Sequence, residues 1–173
     1  AQDAEGRVGC SERIVKGLRD ADGFEPHDNA DRTIPGYVPA NMYDDGGQGV
    51  AYYDTTPGNK FWGRKIRPRE DVDAGPDTIV YTATGEWLNY TLRVVKGGEY
   101  TVVFKGSPMK NIPDVRNIPV YMDGRLLGPF TMENARPDTG RSITVNLPAG
   151  RHTFTVMLHA PLNFDGLDFV PKR

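Results

Sequence analysis

From Trp87 to Val94 the chain alternates. Leu88, Tyr90, Leu92 and Val94 fall on one side, and Trp87, Asn89, Thr91 and Arg93 on the other. A period of two with one apolar side is the pattern of a strand buried on one face. The polar side is then the expected solvent side, and a tryptophan on it requires either a covering loop or a ligand. The preceding stretch, 46–62, sets Tyr52, Tyr53, Phe61 and Trp62 among Gly, Asp, Thr and Asn. Exposed rings mixed with short polar side chains suit a sugar. The C–H face of a pyranose packs on a ring while amides and carboxylates bond its hydroxyls.

The same period recurs. In 99–105, Tyr100, Val102 and Phe104 alternate with Thr101, Val103 and Lys105. Residues 37–42 read as a short edge strand, because Pro39 cannot donate to a ladder. Asp123-Gly124 marks a hairpin, since both residues accept the positive φ such turns need. Residues 142–147 and 151–160 flank Pro148-Ala149-Gly150 and are expected to form another, with His152, Phe154, Val156 and Leu158 on one face. Short strands at this spacing, with 20 Gly and 14 Pro in 173 residues, predict an all-β chain, either a sandwich or a barrel. There is no internal repeat and no low-complexity tract.

Residues 1–33 read differently and are expected to be a linker or a tail packed on the module formed by 34–173. Residues 11–20 favour two helical turns, with Ser11 as N-cap and Ile14, Val15 and Leu18 on one side. The aspartates that follow do not make a calcium loop of the EF-hand type, which needs Gly at its sixth position and Glu at its twelfth. Cys10 stands alone, so it is a free thiol or a bridge to a neighbouring module.

The net charge is −2 with no basic run, which argues against nucleic-acid or anionic-membrane partners. No apolar run approaches the roughly 20 residues that span a bilayer. The chain opens AQDAEG, as a mature or excised fragment would. Nothing in it assembles a catalytic centre. GxSxG and HExxH are absent, and Asp falls mainly at turns, where backbone bonding explains it. Of His27, His152 and His159, His152 is expected to be structural. Asn89-Tyr90-Thr91 is a formal glycosylation sequon, to which no role is given.

Residues 43–59, YDDGGQGVAYYDTTPGN, and 82–94, TATGEWLNYTLRV, resemble the family 6 carbohydrate-binding modules, in particular a subgroup with these two loops. GEYTVVF at 98–104, YMDGRLLG at 121–128, LPAGRHTFTV at 147–156 and NFDGLDF at 163–169 agree in order. The resemblance covers about residues 34–170. It implies a β-sandwich of two antiparallel sheets, jelly-roll in type, with sugar-binding loops at one end. Tyr81 matches the aromatic that forms one wall of the site. The opposite wall, normally a Trp, falls in PDTGRSITV (137–145), where no aromatic stands and Arg141 takes its place. Phe61 or Trp62 would then supply the second platform, or Arg141 would bond an anionic or richly hydroxylated ligand. Asn163 matches the sugar-contacting amide, Asp165 would add an acceptor, and Tyr53 and Asp54 match a further polar contact. Trp87 matches either the aromatic of a second site on a sheet face or a packing residue under a loop.

The family also implies one structural calcium. Here Pro39 and Asn41 replace carboxylates of the first strand while Asp168 remains, so Asn41 and Asp168 are the candidate ligands. The expectation is a monomeric, non-catalytic module of a secreted polysaccharide-degrading enzyme. Its partners are a β-linked glycan (agarose-like galactan, β-glucan or xylan) and the parent's catalytic domain. Two other readings stay open: a sandwich that has lost sugar binding and packs on a catalytic domain, and a hydrolase or lyase on the same fold.

Overall fold

The computed structural model describes residues 23–108, 117–131, 141–158 and 161–173. The proposed helix at 11–20, Cys10, His159 and residues 137–140 of the 137–145 loop lie outside them. The described residues form ten strands: β1 (Arg32–Ile34), β2 (Gly36–Pro39), β3 (Tyr52–Tyr53), β4 (Trp87–Val94), β5 (Gly98–Pro108), β6 (Ile118–Met122), β7 (Arg125–Phe130), β8 (Ser142–Leu147), β9 (Gly150–Met157) and β10 (Leu162–Pro171). They make two sheets. One runs β1-β4-β9-β6-β7, with β3 also on β4, and the other runs β2-β10-β5-β8.

The apolar phase of each strand meets the other sheet. Leu88, Tyr90 and Leu92 of β4, with Phe154 and Val156 of β9, are buried against Tyr100, Val102 and Phe104 of β5 and Phe164 and Phe169 of β10. Aromatic pairs cross the gap: Phe104 lies 5.5 Å from Phe130 and Phe154 lies 5.4 Å from Phe169, centroid to centroid. These distances fall in the range where ring quadrupoles attract. The all-β sandwich expected from the sequence is therefore the fold. Its pairs are antiparallel except for β1 and β4, which run parallel.

Other details depart from the sequence reading. The expected strand at 37–42 breaks after Pro39, and Ala40–Met42 turn into a 3-10 helix. Its first half does lie on an edge, beside β10. Asp123-Gly124 makes the expected hairpin between β6 and β7, with φ of +49° and +73°. The second expected hairpin is not one. Strand β8 pairs with β5 and β9 pairs with β4 and β6, so Pro148-Ala149 carries the chain from one sheet to the other. Val145 and Leu147 of β8 and Phe154 and Val156 of β9 are all buried. They bury from opposite layers of the core, where pairing side by side would place them in one layer.

The chain ahead of β1 lies against the sandwich. Glu25 and Asp45 exchange backbone bonds of 2.8 and 2.7 Å. Asp31 accepts from Arg93 at 2.8 Å and Arg151 at 3.0 Å. Strand β1 begins at Arg32, two residues before the boundary read from sequence. Among the described residues no helix is long and apolar enough to cross a membrane.

Candidate functional site

Of the residues singled out above, Asp54, Phe61, Trp62 and Tyr81 lie on one long connection, residues 54–86 between β3 and β4. Ile79 exchanges two 2.8 Å backbone bonds with Phe164. The Thr82 hydroxyl accepts from the Leu162 amide at 3.0 Å and lies 3.3 Å from the Leu162 carbonyl. Tyr81 is thus pinned on both sides against the start of β10, at a left-handed φ of +53°. A bulky side chain holds that conformation only where its surroundings impose it. The ring is 45% exposed. Asn163, half-buried, sits on the stretch of β10 that this segment follows, so the predicted aromatic and amide share one corner.

Asp165 is the extra residue of a bulge in β10. Its carbonyl accepts from the Tyr37 hydroxyl at 2.6 Å. With Lys105, Gly106, Arg141 and Ser142 it lines a shallow depression on the outer face of the four-stranded sheet. Arg141 is tied down there: one guanidinium nitrogen donates to the Gly106 carbonyl at 2.9 Å.

Three predicted contacts belong to the interior instead. Trp87 is 4% exposed, which corrects its placement on the solvent face. The loop after Tyr43 covers that side of β4. The Asn89 amide group donates to the Val50 carbonyl, its oxygen accepts from the Thr155 hydroxyl, and Thr91 donates twice to Asp44. Buried in this way, the Asn89 of the sequon is no acceptor for a glycan. Phe61 is 8% exposed and cannot present a face to solvent. Its ring lies where a Cβ on Gly75 would stand, 2.3 Å from such an atom.

Asp54 is 7% exposed. It bonds the Thr56 amide at 2.8 Å and hydroxyl at 3.0 Å, an Asx turn of the Asp-Thr-Thr-Pro sequence. Burial pushes its carboxyl up to about 6 against the Thr56 bonds, and the Glu86 and Asp73 charges add to the rise.

Trp62 and Tyr53 stay outside. Trp62 is 81% exposed and stacks on Phe61, with centroids 5.4 Å apart and planes at 21°. Tyr53 is 41% exposed, on the residue paired with Trp87.

Asn41 and Asp168, the two candidate calcium ligands, lie on adjacent segments, the 3-10 helix after β2 and strand β10. The Asn41 amide nitrogen donates to the Gly75 carbonyl at 3.2 Å and the Pro76 carbonyl at 2.6 Å, turning a nitrogen toward the oxygens a cation would need. Asp168 lies across from Tyr37, four residues away from Asn41 along the chain. Calcium takes six to eight oxygens. This pair does not fit it, and among the described residues no group of three or more His, Cys, Asp or Glu is placed to hold a metal.

Two residues that hold these loops went unread. The buried Glu86 carboxylate accepts from the Thr55 amide and hydroxyl on one oxygen and from the Ala83 amide on the other, joining the two ends of the β3–β4 connection. Asn59 is 3% exposed and bonds Ile66, Ala74 and Phe61. The only sequence signal was their place, at the start of a strand and the end of a Pro-Gly turn. His152 is bonded to Asp123 at 2.7 Å, as a structural histidine would be.

Among solved structures, the chain is similar to the C-terminal family 6 carbohydrate-binding module of LamC, a marine laminarinase from Zobellia galactanivorans. The TM-score is 0.52 at 16% identity, covering 78% of this chain and 97% of that one. The family 6 module CsCBM6-3 from Clostridium stercorarium, solved with cellobiose, gives 0.52 at 16% identity, covering 83% and 98%. The likeness is one of fold. No protein-family model and no curated protein matches the chain.

Proposed function

We propose that this chain is a non-catalytic carbohydrate-binding module that holds a secreted polysaccharide-degrading enzyme on a β-linked glycan. The observation that carries the reading is Tyr81, an exposed ring at a left-handed backbone position on a segment bridged to the stretch of β10 that carries Asn163. An aromatic platform that need not be ordered on contact loses little entropy when a sugar stacks on it, and the neighbouring amide can select hydroxyl positions. Binding at one small open corner would be weak. Its benefit to a parent enzyme is the raised local concentration of substrate. The fold shared with the laminarinase and Clostridium modules supports this reading.

Affinity electrophoresis through agarose, laminarin, xylan, mixed-linkage glucan and alginate gels tests it. Wild-type chain is expected to be retarded by at least one polysaccharide. Tyr81→Ala should weaken that retardation by about tenfold, or about 1.4 kcal/mol, with no change in melting temperature. Retardation that survives Tyr81→Ala would remove this corner from the site.

A second reading has its own support. Trp87, Phe61 and Asp54 are internal, and Arg141 is tied to Gly106. A sandwich that packs on a catalytic domain would look the same. It predicts no retardation in any gel, together with stable association to a catalytic partner.

A further inference from the structure

We propose that the loop 57–69 is a contact surface for an anionic polysaccharide, a glycan bearing sulfate or carboxylate groups. Trp62 is its stacking platform, and Lys60, Arg64, Lys65 and Arg69 supply its charge. The proposal rests on the polysaccharide-binding reading above and adds the charge of the ligand.

Residues 57–69 hold five basic side chains and no acidic one, in a chain whose net charge is −2. Of the five, Arg67 is internal. It donates to the Tyr43 and Asp44 carbonyls and pairs with Asp45 and Glu70. The other four are exposed, and among the described residues they make no ion pair. Lys65 donates to the Asn59 carbonyl, which fixes its place on the loop.

Three acids follow, each bonded to a residue of this loop but, among the described residues, in no ion pair with the four exposed cations. Glu70 holds Arg67 and accepts from the Tyr43 hydroxyl. Asp71 accepts from the Gly58 amide at 2.7 Å, and Asp73, 2% exposed, accepts from the Lys60 amide. The loop therefore shows four cations outward, and of the acids that follow it Asp73 is buried while Glu70 and Asp71 are half-buried.

It is also built to keep its shape. The Asn59 amide group spans to the Ile66 and Ala74 carbonyls at 3.0 Å each, and the Ile66 amide donates to Ala74 at 2.9 Å. Phe61 is seated on Gly75, and Trp62 is stacked on Phe61. One face of the indole is thus supported while the other is open. Four exposed cations on the loop that carries such a ring match a sugar whose C–H face stacks and whose substituents are anionic. A single-stranded nucleic acid is the competing polyanion, but its binders line up successive aromatic platforms along a basic groove. Here one ring sits on one loop.

The test uses the full chain in gels and by titration calorimetry. Alginate and a sulfated galactan are set against neutral laminarin and agarose, with poly(dT) alongside. Binding to at least one anionic glycan is expected to exceed binding to the neutral ones by about tenfold or more, and to fall by about tenfold from about 0.05 to about 0.5 M salt. Trp62→Ala should abolish it, and the triple change Lys60→Gln, Arg64→Gln, Arg69→Gln should weaken it about tenfold. All four side chains are exposed, so unchanged melting curves are expected. Retention on a neutral glycan that ignores the triple change would overturn this proposal and leave the module reading standing. Equal or tighter binding of poly(dT) through the same residues would also overturn it. No retention in any gel would overturn both.

Discussion

Asp44 and Asp54 are carboxyl groups taken almost wholly out of water, at 1% and 7% exposure. Burial raises the Asp44 carboxyl to about 6, against two bonds from Thr91 that favour its charge. Asp54 reaches about 6 as well, burial again being the largest cause. Each therefore keeps a proton in the folded chain between about pH 4 and 6, where the unfolded chain has released it. The stability this contributes is complete below the unfolded value and is lost as pH rises through about 6, a swing of roughly 2–3 kcal/mol per group. Asp44→Asn should remove its share. The amide oxygen can accept from the Thr91 amide while the NH2 donates to the Thr91 hydroxyl. Melting temperature followed from pH 4 to 8 should be flatter for the variant, and parallel curves would clear Asp44 of the effect. Such a role was not legible in the sequence, because an Asp among glycines looks like a turn residue whether or not a strand later covers it. The motifs pointed to Tyr81 and Asn163, and the fold bridges the segments that carry them. The burial of Asp54 and Phe61 was not legible, since what buries them, Gly75 for one, lies far along the chain.

Strand β4 shows how far periodicity reaches. The alternation correctly divided its side chains between two faces, but it assigned the polar face to solvent. Packing decided otherwise: six successive residues, Trp87 to Leu92, are buried. Trp87→Ala should therefore cost about 3–5 kcal/mol in urea unfolding, the range for truncating a buried aromatic. A cost under about 1 kcal/mol would return Trp87 to the surface. The loop 57–76 responds to the opposite change. Gly75→Ala would drive a methyl group into the Phe61 ring, costing about 1–3 kcal/mol and unseating Trp62. Stability and retention on anionic gels should fall together. Retention that survived would mean the platform does not depend on its support. Strand identity was readable from local pattern, but sheet membership was not. Pro148-Ala149 looks like a hairpin tip because turn chemistry is local, whereas the layer a strand joins depends on β4, β5 and β6.

Across the whole molecule, the outer edge of β4 is closed piece by piece. Strand β3 pairs with Trp87 and Leu88, Ala51 and Asp44 bond Asn89 and Thr91, and β1 runs parallel to Leu92–Val94. An uncovered strand edge invites pairing between molecules. A chain beginning at Gly36 would lose β1 and the Glu25–Asp45 bridge. It should melt lower and associate with rising concentration in sedimentation velocity. Behaviour as a monomer at all concentrations would show that β3 and the Asp44 loop guard the edge unaided.

The protein has two tryptophans, and the fold places them in opposite surroundings, Trp62 81% exposed and Trp87 4%. Iodide in solution reaches one indole and not the other, so the emission of the native chain separates into a quenchable and a protected part. A ligand seated on Trp62 would shield the quenchable part and move it to the blue. Denaturation would release the protected part and move it to the red. Occupancy and unfolding thus shift the same spectrum in opposite directions, and no added label is needed to tell them apart.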